Sequence, residues 1–189
     1  SLTGEPVDGE SLIAGTAGIE RAWVTPTDVA PCEDAIAAIS EADLIVLGPG
    51  SLYTSVLPSL LLPAIRDAVA ASSALRVYVC NVATQDAETR GLDLAGHVDA
   101  LAAHAGNEIV DVVLANNRPG PTATLRAPSE PVRLSWPPTT TPVPRLVLDD
   151  VVDALAAQRH DPERLAAAVI RIHEREGSAR RRSAAPRSA

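Results

Sequence analysis

The sequence predicts an α/β fold on a mostly parallel sheet, and three observations carry that prediction. Short apolar runs alternate with longer stretches of helical period. No apolar run approaches the roughly 20 residues that span a bilayer. The run Ala42-Asp43-Leu44-Ile45-Val46-Leu47 passes straight into Gly48-Pro49-Gly50, then Ser51-Leu52-Tyr53-Thr54-Ser55, then a helical pattern reaching Val56-Leu57-Pro58. Strand, glycine turn and helix start is where open α/β sheets place ligands, beyond the carboxyl ends of the strands. Glycines let backbone approach a ligand, and the unbonded N–H groups of a helix start suit an anion. The same residues also read as a tight turn that binds nothing.

The elements follow in order. Residues 1–18 are glycine-rich and weakly periodic, which predicts turns and short strands. Residues 19–24 read as a strand closed by Thr25-Pro26-Thr27. Residues 31–40 read as a helix: Ala35, Ile36 and Ile39 share a face, and Glu33 and Asp34 suit its first turn. The strand Leu44–Leu47 comes next. Pro58 and Pro63 break the following helical stretch; its second part, 64–71, turns Ile65 and Val69 inward behind Pro63 at the first position. Residues 76–81 read as a strand. In the helix predicted over 93–105, Asp93 caps, Leu94, Val98, Leu101 and Ala105 form the stripe, and Gly106 ends it. A strand over 109–115 follows, and this alternation implies parallel pairing through right-handed crossovers.

Residues 118–144 differ. Pro119, Pro121, Pro128, Pro131, Pro137, Pro138, Pro142 and Pro144 leave no period, which predicts a long irregular loop or a partly mobile lid. Residues 145–148 read as a last strand and 149–158 as a short helix. Asp161-Pro162-Glu163 opens another helix, with Leu165, Val169 and Ile172 on its face. The folded unit is expected to span 1–174, with an Arg/Ser/Ala tail over 175–189 predicted to be disordered.

Composition narrows the function classes. A net charge of −8 argues against nucleic acid as a partner. Ser1-Leu2-Thr3-Gly4-Glu5 has neither a basic region nor an apolar core, so no signal peptide or membrane insertion is expected. Two distant cysteines, Cys32 and Cys80, fit a reducing cytoplasm better than a disulfide framework, and Cys80 in Val77-Tyr78-Val79-Cys80 reads as buried. Met, Phe and Lys are absent, so the core must be Leu, Val, Ile and Ala. A chain without Met also reads as one that does not begin at its encoded start.

Candidate binding residues gather at strand ends. Asn81 follows the second main strand and Asn116-Asn117-Arg118 the third, on the same edge as the Gly48-to-Ser55 turn. Arg90-Gly91 is assigned to that edge too. This convergence predicts a pocket, although Asn at a strand end also serves simply as a turn former. Thr84 and Gln85, in the connection after Asn81, can hydrogen-bond a base or sugar edge. Arg159, just before a helix start, can hold a diphosphate bidentately, while Asp161 competes there as the cap. His97 and His104 share a helix face without the companions a zinc site needs, so no metal is expected. Ser51 is not in a Gly-x-Ser-x-Gly elbow, and no nucleophile triad is visible.

The run from Ala42 to Pro58 resembles the signature of the gluconeogenesis factor family, bacterial relatives of 2-phospho-L-lactate transferase. Further matches come in order: Gly9-Glu10-Ser11, Val79-Cys80-Asn81-Val82-Ala83-Thr84-Gln85, Glu88-Thr89, His97-Val98, Leu101, His104-Ala105-Gly106 and Arg159-His160-Asp161-Pro162. The resemblance covers roughly residues 9–172. It implies a Rossmann-like, doubly wound sheet with helices on both faces. It also implies a cytoplasmic protein without cofactor that binds a nucleotide sugar of the UDP-N-acetylglucosamine type. The implied role is regulatory: cell shape, cell-wall precursor supply and growth on gluconeogenic carbon.

Carried over, Gly48, Gly50, Ser51, Tyr53, Thr54 and Ser55 form the signature loop, and Asn81, Thr84 and Gln85 the second loop. Asn116 and Asn117 complete the strand-end set, and Arg159 falls where the family places a basic contact to the nucleotide. The family opens with a strand, a Gly-Gly-Gly-Thr-Gly turn and an Asp-rich loop. This chain carries none of these, so it reads as the C-terminal part of a longer protein. After Asn117 the family carries a helix with an aromatic contact, whereas this chain is proline-rich and has no Tyr there.

Three readings result. The first is a binding and regulatory module without catalysis. The second is a phospholactate-type transferase, in which a hydroxyl attacks an activated diphosphate and positioning does most of the work. The third is an interaction piece whose exposed sheet edge supports a homodimer.

Overall fold

The computed structural model describes residues 4–26 and 29–184. Expectations about Ser1-Leu2-Thr3, Thr27 and residues 185–189 lie outside the described residues.

Four strands form one sheet: β1 (Leu44–Leu47), β2 (Leu75–Val79), β3 (Val112–Asn116) and β4 (Arg145–Asp149). They lie in the order β1-β2-β3-β4, and every neighbouring pair is parallel. Leu47 sits opposite Tyr78 and Val79 opposite Leu114, so the carboxyl ends share one edge.

Alternation along the strands builds two cores. Leu47, Tyr78, Cys80, Val113 and Ala115 face one side with Leu52, Leu57, Leu60, Val69, Leu94, Val98 and Leu101. Leu75, Val77, Val79, Val112 and Leu114 face the other with Val151, Ala168 and Ile172. The two central strands, β2 and β3, are covered on both faces and read as near-continuous apolar runs, and for that reason they were legible. The first side is covered by α3 (Leu57–Leu60), α4 (Pro63–Ala71) and α5 (Leu94–Ala105), with Ile39 of α2 (Glu33–Glu41) packed against it. The second is covered by α6 (Pro162–Ala184). Helices therefore lie on both faces, as expected. Among the described residues the outer edge of β1 has no partner, and Val46 on it is exposed.

Local signals act as read at both long helices. Asp93 Oδ1 accepts from the Gly96 N–H at 2.9 Å and Gly106 (φ +97°) ends α5. Asp161 Oδ1 accepts from the Glu163 and Arg164 N–H groups, each at 3.0 Å.

Five expectations change. Residues 10–14 form a short helix, α1 (Glu10–Ala14), because the Gly9 carbonyl accepts the Leu12 and Ile13 N–H groups. Residues 19–24 are not a strand: side chains serve their backbone, with His104 Nε2 accepting from the Ala22 N–H and the Tyr53 hydroxyl donating to the Ile19 carbonyl. Residues 149–158 are not a helix; Asp153 Oδ1 takes the Leu155 N–H, a local bond that competes with helix, and Val152 bridges His160. The proline-rich 118–144 segment is irregular but tied down. Ala83 bridges Pro131, the Val132 N–H donates to the Val82 carbonyl, and Asp99 accepts the Thr139 and Thr140 N–H groups. Finally, α6 continues to Ala184, through the start of the expected tail; Arg and Ala favour helix on either side of the unfavourable Gly177, and Glu176 is paired to Arg145 at 2.7 Å.

Cys80 is buried, and burial pushes its thiol up to about 12, whereas Cys32 is exposed. A thiol reagent should therefore titrate one cysteine in the native protein and both after denaturation. Two native thiols would mean that β2 does not lie in the core. Among the described residues no single helix is long and apolar enough to cross a membrane.

Candidate functional site

The connections leaving β1 and β2 meet the turn before α6 in one cleft of 430 Å³. Pro49, Gly50 and Ser51 enter from the first connection, residues 81–85 from the second, and Gln158, Arg159 and His160 from the turn. Of the predicted site residues, Gly50, Ser51, Asn81, Thr84, Gln85 and Arg159 therefore come together. Gly48 stands just outside, where its φ of +89° turns the chain away from β1.

Hydrogen bonds lock the two loops to each other. Gln85 Nε2 donates to Ser51 Oγ at 2.6 Å, which leaves the Ser51 hydroxyl hydrogen available to a ligand. The Gln85 N–H donates to Thr89 Oγ1 at 2.9 Å. Glu88 is buried beneath the signature loop; its Oε1 accepts the Tyr53 N–H at 2.6 Å and its Oε2 accepts the Thr54 hydroxyl at 3.1 Å. Thr84 Oγ1 accepts the Glu130 N–H at 3.0 Å, so its hydroxyl is engaged by the proline-rich segment.

The remaining predicted residues lie elsewhere. Tyr53 is buried in the core, edge-on to His104 with ring centroids 5.8 Å apart, and burial raises its phenol above the ordinary value. Thr54 faces Glu88, and Ser55 lines the hollow on the outer side of β1. Asn116 accepts the Val151 N–H at 3.0 Å, and the Asn117 N–H donates to the Asp149 carbonyl. Both fix the exit of β4, because Asn116 is still paired in the ladder opposite Asp149. Arg90 pairs with Asp86, one turn away.

Arg159 is exposed, and its guanidinium has no ion-pair partner among the described residues. The imidazole of His160 bonds the Cys80 carbonyl through Nε2 at 3.2 Å. Burial holds His160 below its ordinary pKa, and does the same to His97, which is sealed in α5 with Nδ1 on the Asp93 carbonyl at 2.8 Å. Both rings thus favour the neutral form when folded. Below the ordinary histidine value of about 6.5 the unfolded chain binds more protons, so stability should fall as pH drops from about 7 to about 5. A melting midpoint that stays level across that range would show that these rings protonate as readily when folded.

Sequence reasoning passed over four residues. Ser129 and Gln158 line the cleft, but one lies in a segment without period and the other in a stretch read as helix. Glu88 and His160 were visible only inside matched motifs. A larger hollow of 620 Å³ lies between residues 20–24 and α5, lined by Arg21, Trp23, Arg66 and His104. Its histidine is already committed, with Nδ1 on the Ala100 carbonyl and Nε2 on the Ala22 N–H. Among the described residues no group of three or more metal-binding side chains gathers.

Fold and cleft together define an α/β domain with a polar ligand-sized cleft beyond the carboxyl ends of a parallel sheet. The family model described as 2-phospho-L-lactate transferase CofD matches residues 2–139, and the chain belongs to that family. Named relatives narrow the branch. The gluconeogenesis factor of Halalkalibacterium halodurans is 48% identical over 118 residues, 61% of this chain and 36% of that protein. The gluconeogenesis factor of Bacillus subtilis is 46% identical over 115 residues, 60% of this chain and 36% of its own. A crystal structure of a UPF0052 family protein from Bacillus halodurans superposes with a TM-score of 0.79 at 36% identity, covering 89% of this chain and 56% of that one. The chain thus spans between about a third and somewhat over half of these three relatives.

Proposed function

We propose that this chain is the cleft-bearing part of a regulatory protein that binds a nucleotide sugar of the UDP-N-acetylglucosamine type. Its output would be on cell shape, cell-wall precursor supply and gluconeogenic growth. One observation carries the reading: an unpaired guanidinium, Arg159, stands in a cleft with Gly50, Ser51, Asn81 and Gln85. A planar cation beside hydroxyl and amide groups suits a diphosphate flanked by polar rings. The names of the gluconeogenesis factor relatives support the regulatory branch. Calorimetric titration of UDP-N-acetylglucosamine tests it. Saturable binding is expected, weakened about 10-fold to 100-fold by Arg159→Ala, as for loss of a charge-assisted contact. Binding of equal strength in the variant would remove Arg159 from the site, and no binding by the unaltered protein would remove the ligand.

The name of the family model favours a second reading, a transferase acting on a nucleotide-activated substrate. Deazaflavin-dependent product formation would establish it. The unpaired edge of β1 supports self-association, which light scattering would report as a dimer mass.

A further inference from the structure

We infer that His160 accepts a hydrogen bond from a hydroxyl or N–H of the ligand, which makes this cleft selective for a donor-rich ring such as a sugar. The inference rests on the nucleotide-sugar reading for its probe and goes beyond it by assigning a specificity residue.

The tautomer comes first. His160 lines the cleft while its Nε2 meets a carbonyl oxygen, that of Cys80, at 3.2 Å. A carbonyl only accepts, so Nε2 must carry the hydrogen and Nδ1 the lone pair. No donor among the described residues reaches Nδ1. Burial keeps the ring neutral, which preserves that lone pair at neutral pH.

An unsatisfied acceptor repels a phosphate and attracts O–H or N–H groups. An anion alone would leave Nδ1 unmet, whereas a ring bearing hydroxyls or an amide beside the anion can satisfy it. The charged surroundings are simple. From the residue just past β2 the ring faces the Cys80 carbonyl, with a thiol that titrates only near 12. From its own turn come Arg159 and Asp161, the latter capping α6. From the proline-rich segment comes Ser129, and no carboxyl lines the cleft.

Two variants separate recognition from structure. His160→Gln can keep an N–H on the Cys80 carbonyl but removes the acceptor at Nδ1. His160→Asn places an acceptor near Nδ1 and gives up the Cys80 bond. UDP-N-acetylglucosamine and UDP are titrated into each. His160→Gln should bind UDP-N-acetylglucosamine about tenfold more weakly, the worth of one hydrogen bond, and UDP unchanged. His160→Asn should retain the sugar nucleotide and lose the acid sensitivity of the unaltered protein, whose affinity for it falls as pH drops below the ordinary histidine value of about 6.5. UDP-N-acetylglucosamine bound equally by His160→Gln, or both ligands weakened alike, overturns the inference and leaves the nucleotide-sugar reading standing. If neither nucleotide binds, the ring nitrogen signals of His160 are followed with N-acetylglucosamine 1-phosphate and with inorganic pyrophosphate. A response to the sugar phosphate alone upholds the inference and rejects the nucleotide. No response to either overturns both.

Discussion

Replacing Glu88 with alanine should destabilise the fold by about 3 kcal/mol, more than any other single polar change near the cleft. Glu88 is 3% exposed, and its two oxygens hold the Tyr53 N–H and the Thr54 hydroxyl. Hydrogen bonds to a carboxyl are worth about 1.5–3 kcal/mol each, and a buried donor left alone loses its hydration as well. Thr54 is half-buried and regains water, so the sum falls short of two full bonds. The Tyr53 N–H has no such recourse. Glu88→Gln keeps an oxygen for Tyr53 and presents an amide that Thr54 can accept, so it should lose about 1 kcal/mol. Chemical denaturation of the three proteins decides this. Equal losses for Ala and Gln would mean that charge, not hydrogen bonding, holds the loop; no loss in either would mean that the loop does not depend on Glu88.

That arrangement also explains where sequence reasoning stopped. Strand, glycine turn and helix start were legible because each is written in local chemistry: Leu44–Leu47 is apolar on both faces, and Gly48 carries the turn. The capped helices α5 and α6 were legible for the same reason, through Asp93 and Asp161. The site was legible only in part, because its partners are distant in sequence. The unbonded N–H groups expected at the helix start looked suited to a ligand anion, yet a carboxyl from 35 residues away already meets the one at Tyr53. Asn116 looked like a pocket residue, yet β4 lies beside it and converts it into a brace for Val151. The 19–24 segment has strand-like composition but finds side chains instead of a strand, since His104 comes from 82 residues away to meet Ala22. Long-range polar pairing, unlike apolar period, leaves no local trace.

The second large effect concerns the turn itself: Gly48→Ala should cost about 2–3 kcal/mol and disorganise the cleft with it. Gly48 has φ +89°, a conformation that Cβ-bearing residues avoid by about 1–2 kcal/mol. Space adds to strain, because a Cβ there would lie 3.1 Å from the Val79 carbonyl oxygen. That oxygen belongs to β2, where Val79 is paired opposite Leu114, so it cannot give without disturbing the ladder. Gly50 is the internal control. It has no positive φ, and its Cβ would lie 3.1 Å from the Cβ of Ser55, so crowding alone, without backbone strain, opposes a side chain there. Gly50→Ala should therefore cost less stability than Gly48→Ala, about 1 kcal/mol. Melting midpoints separate the two, and nucleotide-sugar titration adds the functional arm. Gly48→Ala displaces the Pro49-to-Ser51 wall, breaks the Gln85 Nε2 bond to Ser51 Oγ and should weaken binding even where the protein stays folded. Equal stability losses at the two glycines would show that crowding, not backbone conformation, dictates glycine in this turn.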